Sequence, residues 1–342
     1  MRKVLSFVAA GLLMSGCMVQ EMAVSYSSVY VPEEGGTTFV KITEETGEQL
    51  ITPNIVKTSN RLSWWANPYF AITRDGENVA YISSRNDNSN IFVKSLKQRG
   101  GSQQRTFQGG VQDVAYSPDG QTICFTKATY SGNGYPQKSI YYRRVITANG
   151  IHTTSATQGS IVRQISTQGT KDYGVHYSLD GKKIFFSRSD GSSYSIWSYE
   201  LENGTLTNYC MGLCPTPTNK EGELLCIRPN SQNNYEVWLV DYNKGVESVV
   251  LSQENRSYTT PSMSPNGKWI LFCSNSEGTE NKPENLDVYV VRADGSQMTQ
   301  LTYHPGNDLS PVWSPDGKSI YFLSQRGTEN GEYNIWKMNF DL

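Results

Sequence analysis

Histidines are the first residues to test for chemistry, because a catalytic metal needs imidazole or carboxylate ligands held close together. His152, His176 and His304 are far apart in the chain and no two stand at ligand spacing. No metal centre is expected, and no cofactor. A serine hydrolase would need an activated nucleophile on a Gly-x-Ser-x-Gly elbow, and the sequence contains none. The stretches Arg85-Asn86-Asp87-Asn88-Ser89-Asn90 and Glu280-Asn281-Lys282-Pro283-Glu284-Asn285 could bind calcium. Turn formation explains them better, since neither follows a ligand-loop pattern. The expectation is a protein that is not an enzyme.

The cysteines carry the remaining reactive chemistry. Cys124 and Cys226 each fall four residues after a Gly that follows a turn, and Cys273 falls six after one. Those are equivalent positions in different apolar strands, so burial without pairing is expected. Cys210 and Cys214 enclose only Met211-Gly212-Leu213. A disulfide between them is expected over free thiols in an oxidising compartment, because metal binding would need two further ligands.

These residues must be positioned by β-structure. The chain has 342 residues, 21 Tyr, 7 Trp and 30 Gly, with 18% charged residues and a net charge of −2. Aromatic strands joined by glycine turns fit that mixture, and long helical windows are missing. With no basic cluster to neutralise phosphates, nucleic acid is excluded as a partner.

The stretch Ser314-Pro315-Asp316-Gly317-Lys318 followed by Ile320-Tyr321-Phe322-Leu323 reads as a tight turn feeding an apolar strand. Related turns end at Gly76, Gly120, Gly181, Gly222, Gly267 and Gly317, at intervals of 41 to 61 residues. Such a period predicts a β-propeller of six four-stranded antiparallel blades, in which each blade buries its faces against its neighbours. Third strands are expected at residues 90–93, 139–142, 195–198, 236–239, 287–290 and 334–337. The last unit ends without an outer strand, and residues 47–52 are expected to supply it and close the ring. The assignment of Phe39-Val40-Lys41-Ile42, also strand-like, stays open. An insertion over residues 127–160 is expected to extend one blade into a protruding hairpin.

Ser-Pro-Asp-Gly-Lys with an apolar strand, then Ser-x-Arg, then Asn-Ile-Trp or Asp-Val-Tyr-Val-Val resembles the repeat of TolB-type propellers. It is also similar to the propeller of prolyl oligopeptidases. The resemblance covers most of residues 37–342, and the fourth unit departs from it with Asn219-Lys220-Glu221-Gly222 in its turn. The α/β domain that precedes the propeller in TolB itself is expected to be absent. The resemblance implies an envelope protein or peptide partner, since TolB-like propellers bind peptidoglycan-associated lipoprotein. A monomer is expected. The alternative is a carbohydrate-binding or polysaccharide-processing propeller holding an oligosaccharide. Propeller lyases of that kind use a histidine cluster with a metal, which this chain cannot readily supply.

In a propeller the loops entering the innermost strands gather round one mouth of the channel, and loops commonly carry recognition. Here they hold Trp64, Trp65, Asn67, Asp113, Asp172, Tyr173, Arg256, Tyr258, His304, Asn307 and Asp308. Rings with polar tips suit a peptide, protein or sugar. His176 aligns with Ala71, Ala115, Pro217, Ser262 and Val312, which should line the channel, and space-filling is preferred to ligation for it. Trp313, Tyr116 and Tyr177 are expected to wedge between blades.

The chain begins Met1-Arg2-Lys3, continues with an apolar run and reaches Leu13-Met14-Ser15-Gly16-Cys17. That resembles a lipoprotein signal peptide over residues 1–16, with Cys17 lipidated and residues 17–36 as a tether. The expected address is the outer membrane, facing the periplasm, with membrane contact through the lipid anchor only.

Overall fold

A computed structural model describes residues 26–45, 47–50, 55–58, 61–64, 68–85, 89–98, 100–131, 145–158, 162–166, 169–275, 285–328 and 331–341. Six antiparallel sheets are arranged as the blades of a six-bladed β-propeller, as the repeat period requires. Blade 3 shows the pattern in full, with strands Asp172–Tyr177, Lys183–Ser189, Tyr194–Glu200 and Leu206–Met211 running outward in sequence order. The second strands are apolar on consecutive positions because adjoining blades cover both faces. Tyr81, Phe125, Phe186, Phe272 and Phe322 on these strands are all buried.

Each Ser-Pro-Asp-Gly turn is locked by its own side chains. Ser117 donates to Asp119 at 2.5 Å, while Gln121 N donates to the same carboxylate at 3.0 Å and Thr122 N to Ser117 Oγ at 2.9 Å. The same bonds recur at Ser178/Asp180, Ser264/Asn266 and Ser314/Asp316. Gly181 takes a φ of +74°, and a Cβ there would come within 3.2 Å of Pro118 Cδ in the turn of blade 2. Glycine therefore serves both the turn and the seating of one blade's turn on the next. The divergent fourth turn is held differently, with Gly222 N donating to Tyr242 Oη at 3.2 Å and that hydroxyl donating to Glu221 at 3.0 Å.

The ring closes in blade 6, but not through residues 47–52. Its fourth strand is Thr37–Lys41, antiparallel to Asn334–Asn339, and Ser28–Val31 adds a fifth strand outside it. Phe39 is fully buried against Phe322 in an edge-on contact of 5.9 Å, and its strand alternates this inward ring with exposed Thr38 and partly exposed Val40. That later segment instead bridges blades 6 and 1. Leu50 pairs with Tyr333, Ser83 donates to Gln49 O at 2.6 Å, and Glu48 forms a buried ion pair with Lys94 at 2.8 Å. Residues 51 and 52 lie outside the described residues.

Blade 2 carries the expected extension, with Thr122–Ser131 paired to Val145–Ser155. Its third strand is therefore this later one and not residues 139–142, which lie outside the described residues. His152, assigned to the insertion, sits on that third strand and stacks on Phe125 at 5.6 Å.

Candidate functional site

The six innermost strands surround a central cavity of about 240 Å³. Register fixes which side chains face it. Ala71, Ala115, His176, Thr216, Ser262 and Val312 each oppose the matching residue of the second strand in their blade, and all six line the cavity. Thr216 takes the place expected for Pro217. The register shifts before this position in blades 3 to 6, where Gly174, Cys214, Thr260 and Ser310 adopt positive φ of 65°, 54°, 47° and 49°. A bulge of this kind turns the next residues toward the axis. It brings Pro261, Pro311 and Thr260 to the wall, positions that no motif in the sequence marks.

The wall is dominated by Ala, Val, Ile, Phe and Pro, with His176 as its one imidazole. Burial pushes that imidazole down to about 4, against the opposing pull of the Gly174 and Pro215 carbonyls, and its Nδ1 makes no hydrogen bond. At neutral pH it is an uncharged polar group in a mainly apolar channel that also carries Thr216, Thr260, Ser262 and Ser310.

The charged residues expected at the mouth are spent on the fold. Asp172 is fully buried and takes a two-pronged ion pair from Arg188, at 2.7 and 3.0 Å. Asp308 is fully buried against Arg326 at 2.8 Å, and the same guanidinium reaches Glu34. Asp113 accepts from Thr126 N, Thr126 Oγ1 and Gly174 N at 2.8, 2.7 and 2.9 Å, so it ties blade 2 to blade 3. Burial pushes its carboxyl up to about 6 while those three donors oppose the shift.

The other mouth residues are likewise engaged. Asn307 caps Leu286 N at 3.0 Å, and His304 Nδ1 accepts from Gly306 N at 3.0 Å, which requires the neutral ring. Arg256 donates to Ser274 at 2.7 Å and lies 4.4 Å over Tyr289. Tyr258 is buried edge-on to Phe272, and Tyr173 meets Tyr194 edge-on. Trp64 lies in a separate hairpin of Ile55–Thr58 and Arg61–Trp64, while Trp65, Asn67 and Cys17 lie outside the described residues. Of the wedging aromatics, Trp313 donates to Ser262 O at 3.1 Å and packs on Phe340, whereas Tyr116 and Tyr177 border the cavity. Glu34, Arg188 and Arg326, which hold the buried carboxylates or the closing strand in place, are not among the residues expected from the sequence.

Cys210 and Cys214 are not joined. They end up in different blades, Cys210 on Leu206–Met211 of blade 3 and Cys214 on Leu213–Pro217 of blade 4. Cys214 borders the channel, while Cys210 turns to the seam between the blades and meets Cys226, so Cys226 is not isolated as expected. No cluster of three or more His, Cys, Asp or Glu able to hold a metal occurs among the described residues.

The sequence profile of the TolB beta propeller domain matches residues 29–282 of this chain. A Tol-Pal system protein TolB of Francisella tularensis is 33% identical over 105 residues, covering 31% of this chain and 22% of the relative. The chain thus matches about a fifth of the length of that relative. Among solved structures, a putative TolB from Agrobacterium tumefaciens superposes with a TM-score of 0.56 at 16% identity, over 82% of this chain and 94% of the other. An oligogalacturonate lyase from Vibrio parahaemolyticus reaches 0.57 at 11% identity, over 94% and 98%. At such identities these two likenesses speak to the fold alone.

Proposed function

The chain belongs to the TolB β-propeller domain family, and from that premise we propose that it is a non-catalytic binding module of the bacterial cell envelope, lipid-anchored through Cys17, whose channel mouth takes a protein or peptide. The apolar channel wall is the observation that carries this reading. A polyhydroxylated sugar needs many free hydrogen-bonding groups, and here Asp172 and Asp308 are already held by Arg188 and Arg326, Asp113 by Thr126 and Gly174, and Arg256 by Ser274. An apolar peptide side chain entering a cavity of about 240 Å³ would meet a matching surface. The relative's place in the Tol-Pal system supports an envelope address.

The test is crosslinking in intact envelopes of unmodified chain beside Ala71→Trp, which fills the channel from its wall. One specific protein should be captured by the first and lost with the second, while Cys17→Ala should release the chain from the membrane fraction. Saturable binding on a glycan array that Ala71→Trp abolishes, without any captured protein, would favour the oligosaccharide reading and overturn this one.

A further inference from the structure

We propose that Cys210 and Cys226 are a redox site, closing reversibly into a disulfide that ties the outermost strand of blade 3 to the second strand of blade 4. This goes beyond the binding function and does not depend on it. Cys226 is fully buried on Glu223–Pro229, and Cys210 packs against the same small cluster from across the seam. Gly212 permits the approach: it has a φ of +148°, and a Cβ there would lie 3.3 Å from Cys226 Sγ and 3.0 Å from Ile196. Both side chains thus belong to one packed cluster at the seam.

Their surroundings divide the labour. Arg228 sits beside both sulfurs, fixed by a 2.6 Å bond to Glu247 and stacked 4.6 Å over Trp238. Its Nε and Nη2 are buried without a hydrogen-bond partner, so positive charge is held at the seam. The neighbouring Cys226 and then Arg228 hold the Cys210 thiol below its usual range, whereas the neighbouring Cys210 and burial push Cys226 up. Cys210 is only partly buried, which makes it the accessible, thiolate-forming member, with Cys226 as the resolving thiol.

The chemistry is thiol–disulfide exchange with a small-molecule disulfide. Cys210 thiolate attacks oxidised glutathione, forming a mixed disulfide and releasing one glutathione thiolate. Cys226 then loses its proton, attacks the Cys210 sulfur and expels the second. Two protein thiols give up two electrons and two protons, and one glutathione disulfide becomes two thiols.

The full chain in detergent, first reduced, is equilibrated with oxidised and reduced glutathione, quenched with acid, alkylated and mapped by mass spectrometry. A peptide pair joined through Cys210 and Cys226 should dominate, with Cys124 and Cys273 recovered as alkylated thiols. Cys226→Ala, checked by circular dichroism for an intact fold, should trap Cys210 as its glutathione adduct. Arg228→Met should slow alkylation of Cys210 about tenfold. A Cys210–Cys214 link, a lasting glutathione adduct on the unmutated chain, or an unreacted Cys210 would each overturn the proposal.

Discussion

Glu34 and Arg326 stand 292 positions apart in the chain and are joined by two hydrogen bonds of 3.1 and 3.2 Å. The guanidinium also lies 3.7 Å over the Phe39 ring and holds the buried Asp308 at 2.8 Å. One side chain thus binds the closing strand, the turn before it and the innermost strand of blade 6. Arg326→Met keeps the bulk but strands two buried carboxylates. It should cost about 3–5 kcal/mol in equilibrium urea unfolding. A loss under 1 kcal/mol would show that the ring closes without this clamp.

The second ionic staple makes a separable prediction. Lys94 and Glu48 pair at 2.8 Å with 4% and 1% of their side chains exposed, fixing the segment that bridges blades 6 and 1. Lys94→Met alone should destabilise by about 3 kcal/mol or more, because Glu48 keeps a buried charge. Adding Glu48→Gln to it should recover part of the loss, and a double-mutant cycle measures the coupling. Simple additivity of the two changes would refute a direct interaction.

His176 predicts a pH dependence whose sign follows from burial. Its folded value near 4 lies below the ordinary 6.5, so between those values the unfolded chain binds a proton that the folded chain refuses. The stability it contributes is complete above pH 6.5 and is lost as the pH falls toward 4. Asp113, pushed up to about 6, works in the opposite direction over a similar interval, so comparison with a variant is needed to isolate either group. Relative to His176→Gln, the unmutated chain should lose up to about 3 kcal/mol between pH 7 and pH 4. A flat difference across that range would mean the imidazole is solvated.

Thr260 is β-branched yet holds a φ of +47° in its bulge, a conformation that glycine adopts at no steric cost in the equivalent bulge of blade 3. Thr260→Gly should therefore raise stability by about 0.5–1 kcal/mol despite the added freedom of the unfolded chain. Thermal unfolding of the variant gives the answer. A destabilised variant would show that the methyl and hydroxyl of Thr260 do more for the channel wall than the strain removes.

The repeat was legible because its turn chemistry is local: Ser, Pro, Asp and Gly fix a hairpin within five residues, and the apolar strand follows at once. Closure was harder, since Phe39 and residues 47–50 both look like strand and only packing on Phe322 separates them. The mouth was misjudged in kind. Asp172, Asp308 and Asp113, expected in the mouth loops, stand buried on the innermost strands themselves; their partners Arg188, Arg326 and Gly174 come from other strands or blades, and spacing along one chain does not report such pairs. Arg326 did leave a trace, as the arginine of Ser324-Gln325-Arg326. The Cys210 and Cys226 contact left none, for it arises where two sheets meet face to face.

Because blade 6 is assembled from both ends of the described chain, with Ser28–Val31 and Thr37–Lys41 laid beside Asn334–Asn339, the backbone is nearly a closed loop with its break inside a single sheet. A circular permutant, spliced there by a short linker and cut open at a turn of another blade, would keep every strand pairing intact. Within the propeller the position of the chain break is thus interchangeable, and the strain of opening the circle would fall on whichever sheet inherited the new ends.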